Sequence, residues 1–363
     1  MSVQTITTPV GAEIVVDGRR LTNFGGSSYL GLSKRPELIE AGCAALLENG
    51  AGYQFPPNHG VATRAHQAVI AAAREVLGRP AGLYAGAGYH FGFIALHAFE
   101  APGPVFLDEH AHFSLREATA ASGRRTIVFR HRDADDLRRQ LRQHVRAGEV
   151  PIVATDALFS TWGDVAPLGA YGACLEPFRG RLLVDESHAF GVLGATGQGG
   201  AEQAGLTPDQ AIVGGSLGKA FAAAGGLVLG TPEAVERAGR SPCARGASNG
   251  LPAAAAMAAA SLRYVEGHPE LLTRLRANTR YLKTALRGLG LPIADTEIPI
   301  ASFSLGPGER GLNLQAQLRE AGMFVFHSTY IAAGAGGVIR IGIFADHTHD
   351  QFDRLIAALA RHL

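Results

Sequence analysis

The chain has 363 residues, too many for one hydrophobic core, so one large domain and at least one smaller one are expected. Its 33 basic and 32 acidic residues leave a net charge of +1, which gives no electrostatic ground for a nucleic-acid partner or an anionic membrane. Three cysteines (Cys43, Cys174, Cys243), odd in number and without paired spacing, argue against a disulfide framework or zinc ribbon, and with no basic-then-apolar leader and no apolar run of about 18 residues the protein reads as metal-free, soluble and cytoplasmic.

The first element in chain order is a hairpin over Glu13 to Leu21. Its Asp17-Gly18 pair supplies the positive φ angles of a tight turn. Residues 1–40 are expected to form an N-terminal arm, 41–245 a large domain and 246–363 a small one. Within the large domain, near-continuous apolar strands alternate with helical stretches: Val105 to Asp108, Thr126 to Phe129, Pro151 to Ala154, Arg181 to Val184 and Ala211 to Val213. That alternation predicts an α/β fold, with a mostly parallel central sheet covered by helices on both faces. One helix is well marked, with Asp133 as its cap, Leu137, Leu141 and Val145 as its stripe and Gly148 at its end. The last third carries a helix over Pro269 to Gly288, a strand over Ile298 to Leu305 and a helix from Leu314 stopped by Gly322. Strands Met323 to Phe326 and Val338 to Phe344 follow, then a final helix with Thr348 and Gln351 as its capping box. This is a small α+β domain.

The chemistry concentrates at the ends of the predicted strands. Lys219 stands among small and apolar residues, Val213 to Phe221, with no acid close by, and an ammonium in such surroundings loses basicity and becomes a usable nucleophile. The strand Leu182-Leu183-Val184 closes on Asp185, followed by Glu186, Ser187 and His188. An amine and a carboxylate at the mouths of neighbouring strands are the two anchors of pyridoxal phosphate: an imine at its aldehyde and an acid at its pyridine nitrogen. His188 is placed for the phenolic oxygen, and Ser216 offers a hydroxyl to the phosphate. The turn Ala87-Gly88-Tyr89-His90 opens a helix whose backbone N–H groups suit the same anion. His112 is placed over the ring face, Ser160 near the phenolic oxygen and Arg340 on a substrate carboxylate. Each has an ordinary reading too: Asp185 as a cap, Lys219 reaching to the surface, Gly88 as a turn glycine, Arg340 in an ion pair. Their joint occurrence is what selects the cofactor. Two other motifs fail on their own terms. Gly214 to Lys219 is one residue short for a phosphate loop and is followed by Ala220, where magnesium needs a hydroxyl. Asp185-Glu186-Ser187-His188 precedes the lysine that a helicase box should follow.

With those residues in place, the chain resembles the α-oxoamine synthase family of fold-type I pyridoxal phosphate enzymes, from about residue 13 to 360. Asn23-Phe24 with Tyr29-Leu30-Gly31-Leu32 is similar to its opening motif, Asp108 to Leu115 to its stacking-histidine segment, and Phe159-Ser160 with Gly163-Asp164 and Ala166-Pro167-Leu168 to its serine motif. Asp185 to His188 with Gly191, Gly194, Gly197 and Gly199, Ser216 to Gly226, and Val338 to Ile343 are similar to its acidic-histidine, lysine and arginine motifs. The resemblance implies an aspartate aminotransferase-like fold and a homodimer with its active sites at the interface. It implies a reaction in which an amino acid displaces Lys219 and then attacks an acyl thioester, carried by CoA or by a carrier protein. Lys219, Asp185, His188 and His112 are the catalytic set that follows. Gly88, Tyr89, His90, Ser160, Ser216 and Ser248 are placed as cofactor-binding, and Arg340, Ser27 and His59 as substrate-binding.

The sequence departs from the family's pattern in a few places. Phe55 to Val61 lacks the usual glycine- and serine-rich run, Ser27-Ser28 stand where Asn-Asp is common, Ser187 replaces alanine and Gln198 replaces arginine. Retained cofactor residues with altered substrate-contacting ones point to a specialised biosynthetic enzyme. An aminotransferase or other carbanion chemistry on the same scaffold is the alternative, and a non-catalytic dimerisation module is disfavoured by the intact Lys219, Asp185, His188 and His112.

Overall fold

The computed structural model describes residues 3–53 and 60–363. The chain forms two compact units. One comprises Met1–Arg35, Ser160–Asp164 and His268–Leu363, the other Pro36–Phe159 and Val165–Gly267. The hairpin is present as β1 (Glu13–Val16) and β2 (Arg19–Asn23), with Asp17 at φ 50° and Gly18 at φ 76° in its turn, as the Asp-Gly pair predicts.

The larger unit is built on β3 (Ala81–Ala85), β4 (Val105–Asp108), β5 (Thr126–Phe129), β6 (Ile152–Asp156), β7 (Arg181–Asp185), β8 (Ala211–Ser216) and β9 (Gly226–Gly230). They form one seven-stranded sheet in the order β3-β9-β8-β7-β6-β4-β5. Only β9 runs against its neighbours; the other pairs are parallel, and β4, β6, β7 and β8 are largely apolar and buried while the edge strand β5 is partly exposed. The chain passes from β4 outward to β5 and returns to β6 on the other side of β4. Such a reversal opens a crevice beyond the carboxyl ends of the strands. Phe91, Ile94, Leu107, Leu115, Leu183 and Val228 fill the core on one face. Helices Pro36–Asn49 and Pro252–Gly267 pack so closely that a Cβ on Gly42 would lie 2.8 Å from Met257.

The smaller unit continues with β10 (Ile300–Phe303), β11 (Met323–Phe324), β12 (Phe326–Ser328) and β13 (Val338–Gly342). β13 lies between β10 and β12, and β11 joins β2 of the hairpin. The single strand expected over Met323 to Phe326 is therefore two: Phe324 ends its pairing with Asn23, and Phe326 begins pairing with Arg340 in a different sheet. The helix capped by Asp133 ends at His144, where Val145 turns to extended backbone; Gly148 serves the turn that follows. The helix expected from Leu314 begins earlier, at Gly308. The final helix, His349–His362, has the predicted capping box. Its Phe352, Leu355 and Leu359 meet Phe24, Leu282, Phe303 and Ile341 in the core of this unit. Among the described residues no helix is long and apolar enough to cross a membrane.

Candidate active site

In the larger unit, three parallel strands end on one line: Asp156 of β6 is the Cα partner of Asp185 of β7, which is the Cα partner of Gly214 of β8. Side chains in register on adjacent strands share a face, with backbones about 4.8 Å apart. Asp185 is 4% exposed, and its Oδ1 accepts a hydrogen bond from the Ser187 N–H at 2.9 Å. Glu186 is committed elsewhere, accepting from the N–H groups of Gly200 (2.7 Å) and Ala201 (2.8 Å). Burial pushes its carboxyl up to about 7, against the pull of those two bonds. It pins the glycine-rich stretch, while His188 is half-buried in the turn that closes back on Glu186.

His112 caps the helix Phe113–Ala121: its Nδ1 accepts from the Ser114 N–H at 3.1 Å. An Nδ1 that accepts places the proton of the neutral ring on Nε2. The backbone N–H of His112 donates to Asp156 Oδ2 at 2.9 Å, so the imidazole is fixed at both backbone and ring. Burial is the main cause that lowers its basicity; Asp185 pulls it back up and Lys219 pushes it down. Asp156 is held well above the ordinary carboxylate range, first by burial and next by the Asp185 charge, while Lys219 draws it down. Lys219 and Asp185 thus act on the same two neighbours. Lys219 is half-buried in the loop between β8 and β9, which is closed by Leu217 N–H to Gly225 O at 3.1 Å and Ala222 N–H to Lys219 O at 3.1 Å.

Missing side chains shape the rest of the crevice. A Cβ on Gly88 would lie 2.4 Å from Ser216 Cα, and one on Gly226 would lie 2.6 Å from Gly88 Cα. Only glycine lets the Gly88–His90 turn come against β8 and β9 here. That turn starts after Ala87, which has no side chain to cap it, and His90 Nδ1 is buried without a hydrogen-bond partner. An uncapped helical start whose Gly88 lies against Ser216, with an orphaned imidazole nitrogen in the same turn, suits an anion such as a phosphate. Tyr89 is exposed, donates to Glu117 Oε2 at 2.5 Å and lies edge-on to His112. Ser248 is exposed; its carbonyl oxygen would lie 2.8 Å from a Cβ on Gly86, and its Oγ accepts from the Gly250 N–H at 3.2 Å.

In the smaller unit, Arg340 sits at the middle of β13 and is 8% exposed. Its Nε donates to Ser160 O (2.7 Å), its Nη1 to Gly26 O (2.8 Å) and its Nη2 to Tyr29 Oη (3.3 Å). All three acceptors are neutral, and among the described residues no carboxylate pairs with this buried guanidinium. Burial raises the Tyr29 phenol, and Arg340 offsets part of that rise. Ser160 belongs to a short crossing segment stitched in place by Thr161 Oγ1 to Ile331 O (2.7 Å) and by the chain's one tryptophan, Trp162 Nε1 to Ala332 O (2.8 Å). Ser27 is half-buried beside Gly26, its carbonyl accepting from the Tyr29 N–H at 2.8 Å. His59 lies outside the described residues.

The sequence signals for Asp185, Lys219, Ser216, His112 and the Gly88 turn thus fall together in the larger unit, and those for Ser160, Ser27 and Arg340 in the smaller. Asp156 was not singled out by the sequence pattern. The signal existed, since β6 closes on an acid as β7 does, but its strand was expected to stop at Ala154, two residues short.

The residues present fit pyridoxal phosphate: an amine and an acid acting on one imidazole, with an uncapped, glycine-cleared turn beside them. The fold is that of the fold-type I pyridoxal phosphate transferases. The model of the family described as aminotransferase class I and II matches residues 19–359. An 8-amino-7-oxononanoate synthase of Stutzerimonas stutzeri is 35% identical, over 98% of this chain and 91% of its own. A serine palmitoyltransferase of Sphingobacterium spiritivorum is 28% identical, over 96% and 88%. The solved serine palmitoyltransferase of Sphingomonas wittichii superposes with a TM-score of 0.93, at 24% identity over 99% of this chain and 92% of that one, a likeness of fold. The chain belongs to the aminotransferase class I and II family, in its α-oxoamine synthase branch, and its cofactor is pyridoxal phosphate.

Proposed function

We propose that this protein condenses an amino acid with an acyl thioester in a biosynthetic reaction, with Lys219 and Asp185 anchoring opposite ends of the cofactor. The observation that carries this reading is the register of β7 and β8, which sets Asp185 beside Gly214 at the strand end that leads into the Lys219 loop. When bound, pyridoxal phosphate supplies an electron sink for a carbanion at the amino acid α-carbon. Lys219 supplies the amine that secures the cofactor and then takes the α-proton on its Nζ. Asp185 holds a proton at the ring nitrogen, and the fixed neutral ring of His112 covers the ring face. Ser216, Ser248 and the Gly88-Tyr89-His90 turn hold the phosphate, and His188 and Ser160 serve the phenolic oxygen. Arg340 pairs with the substrate carboxylate; its burial among neutral acceptors supports that role, because a buried guanidinium lacking an acid is incomplete. Ser27 and His59 belong to the substrate side.

A homodimer is part of the proposal. Ile39, Leu46 and Leu47 recur on one face of helix Pro36–Asn49 and are 46%, 44% and 91% exposed, a stripe that a second copy would cover. A carrier-protein donor is proposed beside CoA, since Phe55 to Val61 lacks the family's usual run.

The test is release of free thiol from acyl-CoA and acyl-carrier donors in the presence of each amino acid in turn. Amino-acid-dependent thiol release is expected. Silence with every donor, together with conversion of the cofactor to its amine form by an amino donor, would establish an aminotransferase instead.

A further inference from the structure

Strands β7 and β8 are in register as far as Asp185 and Gly214, and their last backbone rung is Glu186 N–H to Gly214 O at 2.7 Å. Beyond it β7 turns away, its Ala189 and Phe190 N–H groups both donating back to Glu186 O. β8 continues, paired with β9 through Ser216 and Gly226. The N–H of Ser216 is taken up by a side chain: it donates to Ser187 Oγ at 2.7 Å. The N–H of Ser187 in turn donates to Asp185 Oδ1 at 2.9 Å, and Ser216 Oγ accepts from the Gly218 N–H at 3.0 Å. A continuous line of hydrogen bonds therefore runs from the Asp185 carboxylate to the residue before Lys219. It passes over Gly215, at φ 132°, where a Cβ would lie 2.4 Å from Ser187 Oγ and 2.6 Å from Asp185 Oδ1. The bridge needs both the serine hydroxyl and the glycine beneath it.

We infer that Ser187 is a positioning residue: its hydroxyl stands in for the missing strand rung and sets the spacing between the Asp185 carboxylate and the Ser216–Lys219 loop. This rests on the cofactor reading above, because only a ligand spanning the two makes their spacing matter. An apolar residue at 187 leaves the Ser216 N–H without its acceptor, and an unmet donor costs more than the bond itself is worth. The loop then relaxes away from the strand end.

The isosteric pair Ser187→Thr and Ser187→Val tests it, one keeping the hydroxyl and the other replacing it with a methyl group. Three quantities are measured: amide exchange of the 213–219 segment in the apoprotein, the dissociation constant for pyridoxal phosphate, and the pH midpoint of the bound cofactor's absorbance. The valine variant is expected to exchange at Ser216 and release the cofactor roughly tenfold more readily, the equivalent of about one hydrogen bond, with a displaced midpoint. The threonine variant is expected to match wild type in all three. Equal behaviour of the two variants overturns the inference. Failure of wild type to bind the cofactor would sink the functional reading instead, while apoprotein exchange would still judge the bridge.

Discussion

Asp156 and Asp185 occupy the same rung of adjacent parallel strands, two buried carboxyls with Lys219 and His112 in their field. Burial and then the Asp185 charge push the Asp156 carboxyl well above its ordinary range, against the His112 N–H bond and the Lys219 charge. Asp185 is the acid that the proposed reading puts at the ring nitrogen.

Asp156→Asn should therefore be mild. The amide copies a protonated acid and keeps an oxygen for the His112 N–H, so cofactor affinity and turnover should stay within about threefold of wild type. Asp156→Ala strips the acceptor from a buried N–H, at a cost of about 1–3 kcal/mol in urea denaturation, and frees His112. An asparagine variant as impaired as the alanine one would mean that Asp156 works as a charge.

Arg340→Lys should raise the KM for the amino acid at least about tenfold while leaving that for the acyl donor little changed. One ammonium cannot reach Ser160 O, Gly26 O and Tyr29 Oη in three directions and still pair with a carboxylate. Steady-state kinetics with each substrate varied in turn checks this. An unchanged amino-acid KM would reduce Arg340 to a structural link.

Acid should destabilise the smaller unit through His347. Its Nδ1 accepts from the Phe344 N–H at 3.0 Å and its Nε2 donates to Asn23 O at 2.9 Å, a neutral ring stacked on Phe24 and Phe344. Burial pushes it from 6.5 down to about 4. The unfolded chain then binds a proton that the folded one refuses, so its stability contribution is complete above pH about 6.5 and is lost as pH falls towards 4. The loss approaches about 3 kcal/mol. Melting curves across that window should flatten in His347→Gln, a variant less stable at neutral pH; an undiminished slope contradicts the assignment.

Lys283 presents the opposite case. It is 2% exposed on the inner side of helix Glu270–Gly288, bonded to Thr296 Oγ1 at 2.8 Å, and burial lowers its amine from 10.5 to about 8. At neutral pH it carries a charge that its surroundings resist. Lys283→Met should stabilise the protein by up to about 3 kcal/mol at pH 7. The gain should shrink as pH rises from 8 to 10.5, because over that range wild type itself gains stability. A destabilised methionine variant in urea unfolding would show that the Thr296 bond outweighs the buried charge.

Much of the site was legible because it lies where buried strands stop. An apolar run closing on Asp185, and a lysine loop free of acids, are local patterns that burial imposes on sequence. The order of the strands was not legible: nothing in Val105 to Asp108 or Ile152 to Asp156 declares that they are neighbours. β3 and β9 escaped because Ala81–Ala85 and Gly226–Gly230 carry glycine, which weakens the strand signal. The Ser187 bridge was visible only as an exchange of alanine for serine, since a hydroxyl declares its partner only once β8 has been laid beside β7. Lys283 was not singled out in the sequence; it lies with Thr279, Leu282 and Leu286 on the buried side of its helix.

The attachment of the cofactor to Lys219 is simple to test, because Lys34, Lys219 and Lys283 are the only lysines in the sequence. Borohydride reduction of the pyridoxal phosphate complex, followed by peptide mass mapping, reads the attachment point directly. The cofactor's mass is expected on the peptide containing Lys219, and nowhere in Lys219→Ala. A stable adduct on Lys34 or Lys283 with Lys219 unmodified would contradict it.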